Sequence, residues 1–142
     1  MKKNKLDSKY EVDFELLGLV CNKKEYKLAW HLNESLRISL IKQKDIRIDF
    51  SDNTSILISN FLYKADHQQI ELLQNRLLFN THPKYKFLLP ELNQFDYLLK
   101  IGDEVEELNS ENVSVIIKEI PIVEYVMRFN FDNLKSKDNL LY

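Results

Sequence analysis

Proton transfer or divalent-metal chemistry needs carboxylates in apolar surroundings, and the chain offers one such pair. Glu91 and Asp96 stand five residues apart in Phe87-Leu88-Leu89-Pro90-Glu91-Leu92-Asn93-Gln94-Phe95-Asp96-Tyr97. Apolar neighbours raise a carboxyl pKa and poise it for acid–base work. The two are expected to straddle a turn, so their side chains need not converge. The plainer reading has Glu91 facing the N–H groups of the turn, Asp96 anchoring the next strand, and Tyr97 packed with its hydroxyl paired. Nucleophilic chemistry would fall to Cys21 with His31, His67 or His82, since a thiolate needs a neighbouring base or cation. A small buried residue at a strand end accounts for Cys21 more simply. The histidines are scattered without zinc-type spacing, and Gly18 and Gly102 are too few for a phosphate-cradling loop. No catalytic residue, metal or cofactor is therefore expected.

Pro90 fixes its own φ, lacks an N–H and pushes Leu89 into extended backbone, so an apolar strand should stop at Leu89. Pro90 suits the first position of a helical turn, with Glu91 against the positive end of its dipole. Tyr97, Leu99 and Ile101 then alternate with Asp96, Leu98 and Lys100, the pattern of a half-buried strand ended by Gly102. A continuous helix with Leu88, Leu92, Phe95 and Leu99 on one face fits the same residues. Leu89-Pro90-Glu91, three residues, then Phe95-Asp96-Tyr97 resembles the motif of the IPExxxVDY family, small bacterial proteins of unknown function. Pro90, Glu91, Asp96 and Tyr97 match, whereas Leu89 replaces Ile and Phe95 replaces Val. A weaker echo in Leu17-Gly18, Tyr26, Trp30, Asn33 and Leu36 extends the resemblance over most of the chain. It implies a family and no reaction.

The elements that must position these residues follow from periodicity. A flexible segment, residues 1–9, precedes a strand beginning near Tyr10, with Val12, Phe14, Leu16, Gly18 and Val20 on one side and Leu17 and Leu19 on the other. Gly18 within it implies a bulge or a close backbone approach. Asn22-Lys23-Lys24-Glu25 reads as a capping box for a helix. Its apolar side gathers Tyr26, Leu28, Ala29, Trp30, Leu32, Leu36 and Leu40, opposite Lys23, Lys24, Lys27, His31 and Glu34. Asn33 falls inside the apolar arc, so it either ties the helix to neighbouring backbone or lines a pocket with Trp30. Asp45 to Phe50 alternates as a one-face strand, Ser51 to Thr54 is a turn, and Ser55 to Lys64 completes a hairpin. The composition of Gln68 to Phe79 favours a helix, but the short turn at Asp66 and the family resemblance favour a third meander strand, which is adopted. Asn80 to Lys86, with Pro83, is a loop. Ser110 is a plausible N-cap for a second helix carrying Val113, Ile116, Ile117 and Ile120 up to Pro121. A last strand places Val123, Tyr125, Met127, Phe129 and Phe131 on one face.

This order predicts an α+β fold, an antiparallel or mixed sheet with two helices on one face, like an elaborated ferredoxin-like sandwich. One domain spans residues 10–131, and a tail, residues 132–142, ends in Leu140, Leu141 and Tyr142, apolar residues able to dock on the body or on a second subunit. The charges nearly cancel, 20 basic against 22 acidic, which argues against nucleic acid even though Phe61, Tyr63 and Lys64 resemble a stacking surface. Asp103, Glu104, Glu106, Glu107 and Glu111 read as solvated surface. The lone Cys21 fits a reducing compartment, and no apolar run reaches the roughly 20 residues of a membrane span. A cytoplasmic protein follows, without membrane partners. The first expectation is a non-enzymatic interaction or assembly module that self-associates through a sheet edge or its tail. The alternative is a small-molecule-binding protein or minor enzyme, with a pocket between helix 1 and the motif lined by Trp30, Asn33, Glu91, Asp96 and Tyr97.

Overall fold

Alternation of apolar and polar residues lapses in Leu16-Leu17-Gly18-Leu19, in Ile70-Glu71-Leu72-Leu73 and in Tyr97-Leu98-Leu99, and these runs become the middle of a sheet covered on both faces. The computed structural model describes residues 14–77, 79–80, 86–103, 109–130, 133–135 and 137–140. The strands are β1 Glu15–Val20, β2 Ile41–Lys42, β3 Ile46–Asp49, β4 Ser55–Ile58, β5 Asn60–Lys64, β6 Gln68–Gln74, β7 Phe79–Asn80, β8 Tyr97–Asp103 and β9 Tyr125–Phe129. The helices are α1 Glu25–Leu36 and α2 Ser110–Lys118, with 3-10 turns at Pro90–Leu92 and Lys137–Leu140. The expected flexible segment 1–9, His82, Pro83, Glu104, Glu106, Glu107, Phe131, Leu141 and Tyr142 lie outside the described residues.

The fold is α+β. Six strands in the order β2-β5-β6-β8-β1-β9 form one sheet whose neighbours are all antiparallel, and β3-β4-β7 form a second antiparallel sheet. The inner order β6-β8-β1-β9, with α1 and α2 in the crossovers, is the split βαβ arrangement of ferredoxin-like folds. Both helices pack on one face, where Leu28, Leu32, Leu36, Val113 and Ile117 meet Leu17, Leu19, Ile70, Leu72, Leu99 and Ile101. On the other face Leu16, Leu73 and Leu98 are covered by Ile56 and Ile58 of the small sheet, by Leu88, Leu89, Leu92 and Phe95, and by Leu134 and Leu140.

This second cover explains why β8 departs from the half-buried strand expected of it: Tyr97, Leu98, Leu99 and Ile101 are all buried. It also draws in the C-terminal segment. Lys100 donates to the Leu140 carbonyl at 3.0 Å and the Asn139 amide to that of Leu88 at 2.8 Å, so packing continues past residue 131. Gln68–Gln74 is a strand, as adopted, because it lies between β5 and β8 with Ile70, Leu72 and Leu73 fully buried, which overrides its helical propensity. The hairpin forms with Ile46 opposite Ile58 and Asp49 opposite Ser55, and Asn53 takes the left-handed turn position at φ 68°. The run 55–64 then breaks at Ser59 and passes from the small sheet to the large one.

Several local expectations are corrected. The capping box does not form, since α1 starts at Glu25 with Lys24 as N-cap and no side-chain cap, while the Glu25 carboxylate accepts from the Ser59 hydroxyl instead. Tyr26 and Trp30 point outward, because the Leu28, Ala29, Leu32, Leu36 stripe is as wide as the sheet requires. α2 is capped by Asn109, whose side chain accepts from the Asn112 N–H, one residue ahead of Ser110. Phe87 to Leu89 makes only an isolated bridge, Phe87 to Arg76. Val123 precedes β9 and packs on the helix-covered face, apart from Tyr125 and Met127. No described helix is long and apolar enough to cross a membrane.

Candidate functional site

The motif folds around a residue outside it. Asn75, at the exit of β6, is fully buried, and its side-chain amide donates to the carbonyls of Leu92 at 3.0 Å and Phe95 at 2.9 Å. Its side-chain oxygen accepts from the Leu89 N–H at 2.9 Å. Its backbone N–H donates to the Asp96 carbonyl and its carbonyl accepts from Leu88. One buried amide thus satisfies both ends of the Pro90–Leu92 turn, where Pro90 occupies the first turn as its locked φ favours. Sequence reasoning missed Asn75; its only signal is a polar side chain among Leu72, Leu73 and Leu77.

The motif's polar residues secure the ends of the central strands. The Asp96 carboxylate accepts from the Cys21 N–H at 2.9 Å, and the Asp96 N–H donates to the Leu19 carbonyl. Tyr97 is buried on the helix-covered face and donates its hydroxyl to the Lys23 carbonyl at 2.6 Å. Burial, with the nearby Cys21, Glu25 and Asp96, holds that phenol far above its ordinary range, so it remains a donor. Burial also raises the Cys21 thiol against an opposing hydrogen bond from the Lys23 backbone, the reverse of what a reactive thiolate needs. Glu25 is raised by burial too, partly offset by the Ser59 hydroxyl and by Lys42; its Oε2 is buried without a hydrogen-bond partner.

Phe95 connects the motif to the sheet edge. Its ring lies against Gly18, where an added Cβ would sit 2.8 Å from the rings of both Phe95 and Phe129. In place of the bulge or close backbone approach expected at Gly18, two aromatic side chains close on it. Phe95 meets Phe129 edge-on at 5.1 Å and stacks on Tyr125 at 6.3 Å. The motif thereby forms the underside of β9, whose outer edge has no strand partner among the described residues. Tyr125 and Met127 on this strand are exposed.

The remaining sequence candidates are dispersed. Trp30 is exposed on α1, edge-on to His31 at 5.0 Å. Asn33 ties the helix to returning backbone, accepting from the Leu40 N–H at 2.7 Å and donating to its carbonyl at 3.3 Å. Pro90 and Glu91 are exposed on a turn whose Leu92 is buried in the cluster away from the helices. Trp30 and Asn33 thus sit on the helix layer and the Pro90–Glu91 turn on the other, with Asp96 and Tyr97 at the strand ends between. The described residues hold no group of three or more His, Cys, Asp or Glu side chains able to bind a metal ion. No family model and no curated protein matches the chain.

Proposed function

We propose that this protein is a non-enzymatic assembly module of the cytoplasm that pairs with a second copy of itself along β9, and that its motif marks it as a member of the IPExxxVDY family. The observation that carries this reading is β9 itself. It is a five-residue edge strand, Tyr125-Val126-Met127-Arg128-Phe129, with Tyr125 and Met127 left 54% and 42% exposed. Edge strands that avoid pairing are shortened or carry lysine, proline or a bulge. The opposite edge, β2, has only two residues, whereas β9 has neither lysine nor proline. Antiparallel pairing symmetric about Val126 sets Tyr125 against the partner's Met127 and Glu124 against the partner's Arg128, so apolar meets apolar and the charges oppose. The non-enzymatic part draws support from Asp96 and Tyr97, both engaged with backbone groups at the strand ends. The cytoplasmic part rests on the free, buried Cys21.

Sedimentation velocity over a wide concentration range is expected to show a species of two chains. Met127→Lys, which puts a charge on the edge, is expected to return it to one chain with an unchanged circular dichroism spectrum. A single chain at every concentration, or a dimer indifferent to Met127→Lys, overturns the reading.

A further inference from the structure

The outward side of α1 carries large aromatic and basic residues that the fold does not use. Its buried stripe is complete in Leu28, Ala29, Leu32 and Leu36. Tyr26 and Trp30, four residues apart and hence neighbours along the helix, are 67% and 59% exposed. Lys23 and Lys27 stand three residues before Tyr26 and Trp30 and hence beside them, with Lys24 at the helix start. All three are exposed and without an ion pair among the described residues, while Glu34, four residues after Trp30, is the one helix carboxylate on that side. A chain with a net charge of -2 thus gathers three lysines against one carboxylate around the most exposed rings among its described residues.

We infer that this face of α1 docks an acidic polypeptide segment carrying an apolar residue. Tyr and Trp supply wide contact area at little entropic cost and are the usual anchors of interfaces. The lysines steer and orient a partner of opposite charge. Single-stranded nucleic acid is the poorer fit, since successive bases need rings along a groove and these two rings lie one turn apart on a convex helix. An anionic membrane is poorer still, because the broad apolar face that an adsorbed helix inserts is here buried against the sheet. The site is separate from β9, whose Tyr125 and Met127 belong to the opposite face of the sheet.

Trp30 is the only tryptophan, so its fluorescence reports directly on the face. A synthetic Asp/Glu-rich peptide with a central leucine is expected to shift that emission saturably and more weakly as salt is raised. Lys23→Glu/Lys27→Glu should weaken binding about tenfold or more through like-charge repulsion, with circular dichroism unchanged. Anisotropy of the labelled peptide should show a comparable loss for Trp30→Ala. The inference is overturned if the peptide gives no response, if its binding ignores these substitutions, or if oligo-dT or phosphatidylglycerol vesicles bind more tightly than the peptide.

Discussion

Asn75 is where the motif is held or lost. Its side chain closes three hydrogen bonds to backbone groups that have no water to turn to, and its own backbone closes two more. Leaving buried donors and acceptors unpaired costs about 1–3 kcal/mol each, so Asn75→Ala is expected to destabilise the fold by about 3–5 kcal/mol, measured from the urea midpoint. Glu91→Ala, on an exposed position of the same turn, should cost under about 1 kcal/mol. Pro90 and the strand entry at Tyr97 were legible because φ restriction and alternation are local properties. Asn75 was not, because its side-chain partners lie 14, 17 and 20 residues away and only the fold brings them to it.

Among the elements, the C-terminal segment takes one of the two courses expected of it, with Leu140 docked on the body. Leu140 is 1% exposed, and its carbonyl receives Lys100, an ammonium that also lies 4.6 Å above the Phe14 ring and 3.9 Å from Glu71 across the strands. Burial lowers the Lys100 pKa and Glu71 works against that shift. The segment is therefore a lid on a partly buried ion pair as well as on the second apolar cluster. Leu140→Ala is expected to cost about 2–5 kcal/mol, read as a lower Tm, by opening a cavity in that cluster. A tail that is polar between scattered leucines gives no periodicity by which docking on the body can be told from docking on a second subunit.

For the molecule as a whole, the crossing of the chain from one sheet to the other at Ser59 is tied to α1 by the partly buried Glu25 carboxyl. Its folded pKa is raised above the ordinary 4.5 by burial, so folding favours the protonated form. The stability this contributes is complete below pH 4.5 and is lost as pH rises through the raised value. Glu25→Gln keeps an acceptor for Ser59 without a charge to desolvate, so it should flatten this part of the pH–stability curve and be the more stable form above it. Urea midpoints of both proteins across mildly acidic to neutral pH test this, and parallel curves would count against it.

The chain's own pattern was enough for the α+β class, the positions of both helices, the hairpin about Asn53 and the Pro90 turn. All of these follow from backbone restriction, turn chemistry or the spacing of apolar side chains over a few residues. Which side of an apolar run meets core and which meets water was decided in three dimensions. Tyr26 and Trp30 lie nearly half a turn round the helix from Leu28 and Leu32, and the sheet takes only the leucine side of α1. Tyr125 and Met127 share a face with Phe129, yet the cover that half-buries Phe129 leaves them largely exposed at the sheet's edge. Hydrophobicity is a property of a residue, but burial depends on what arrives from elsewhere in the chain.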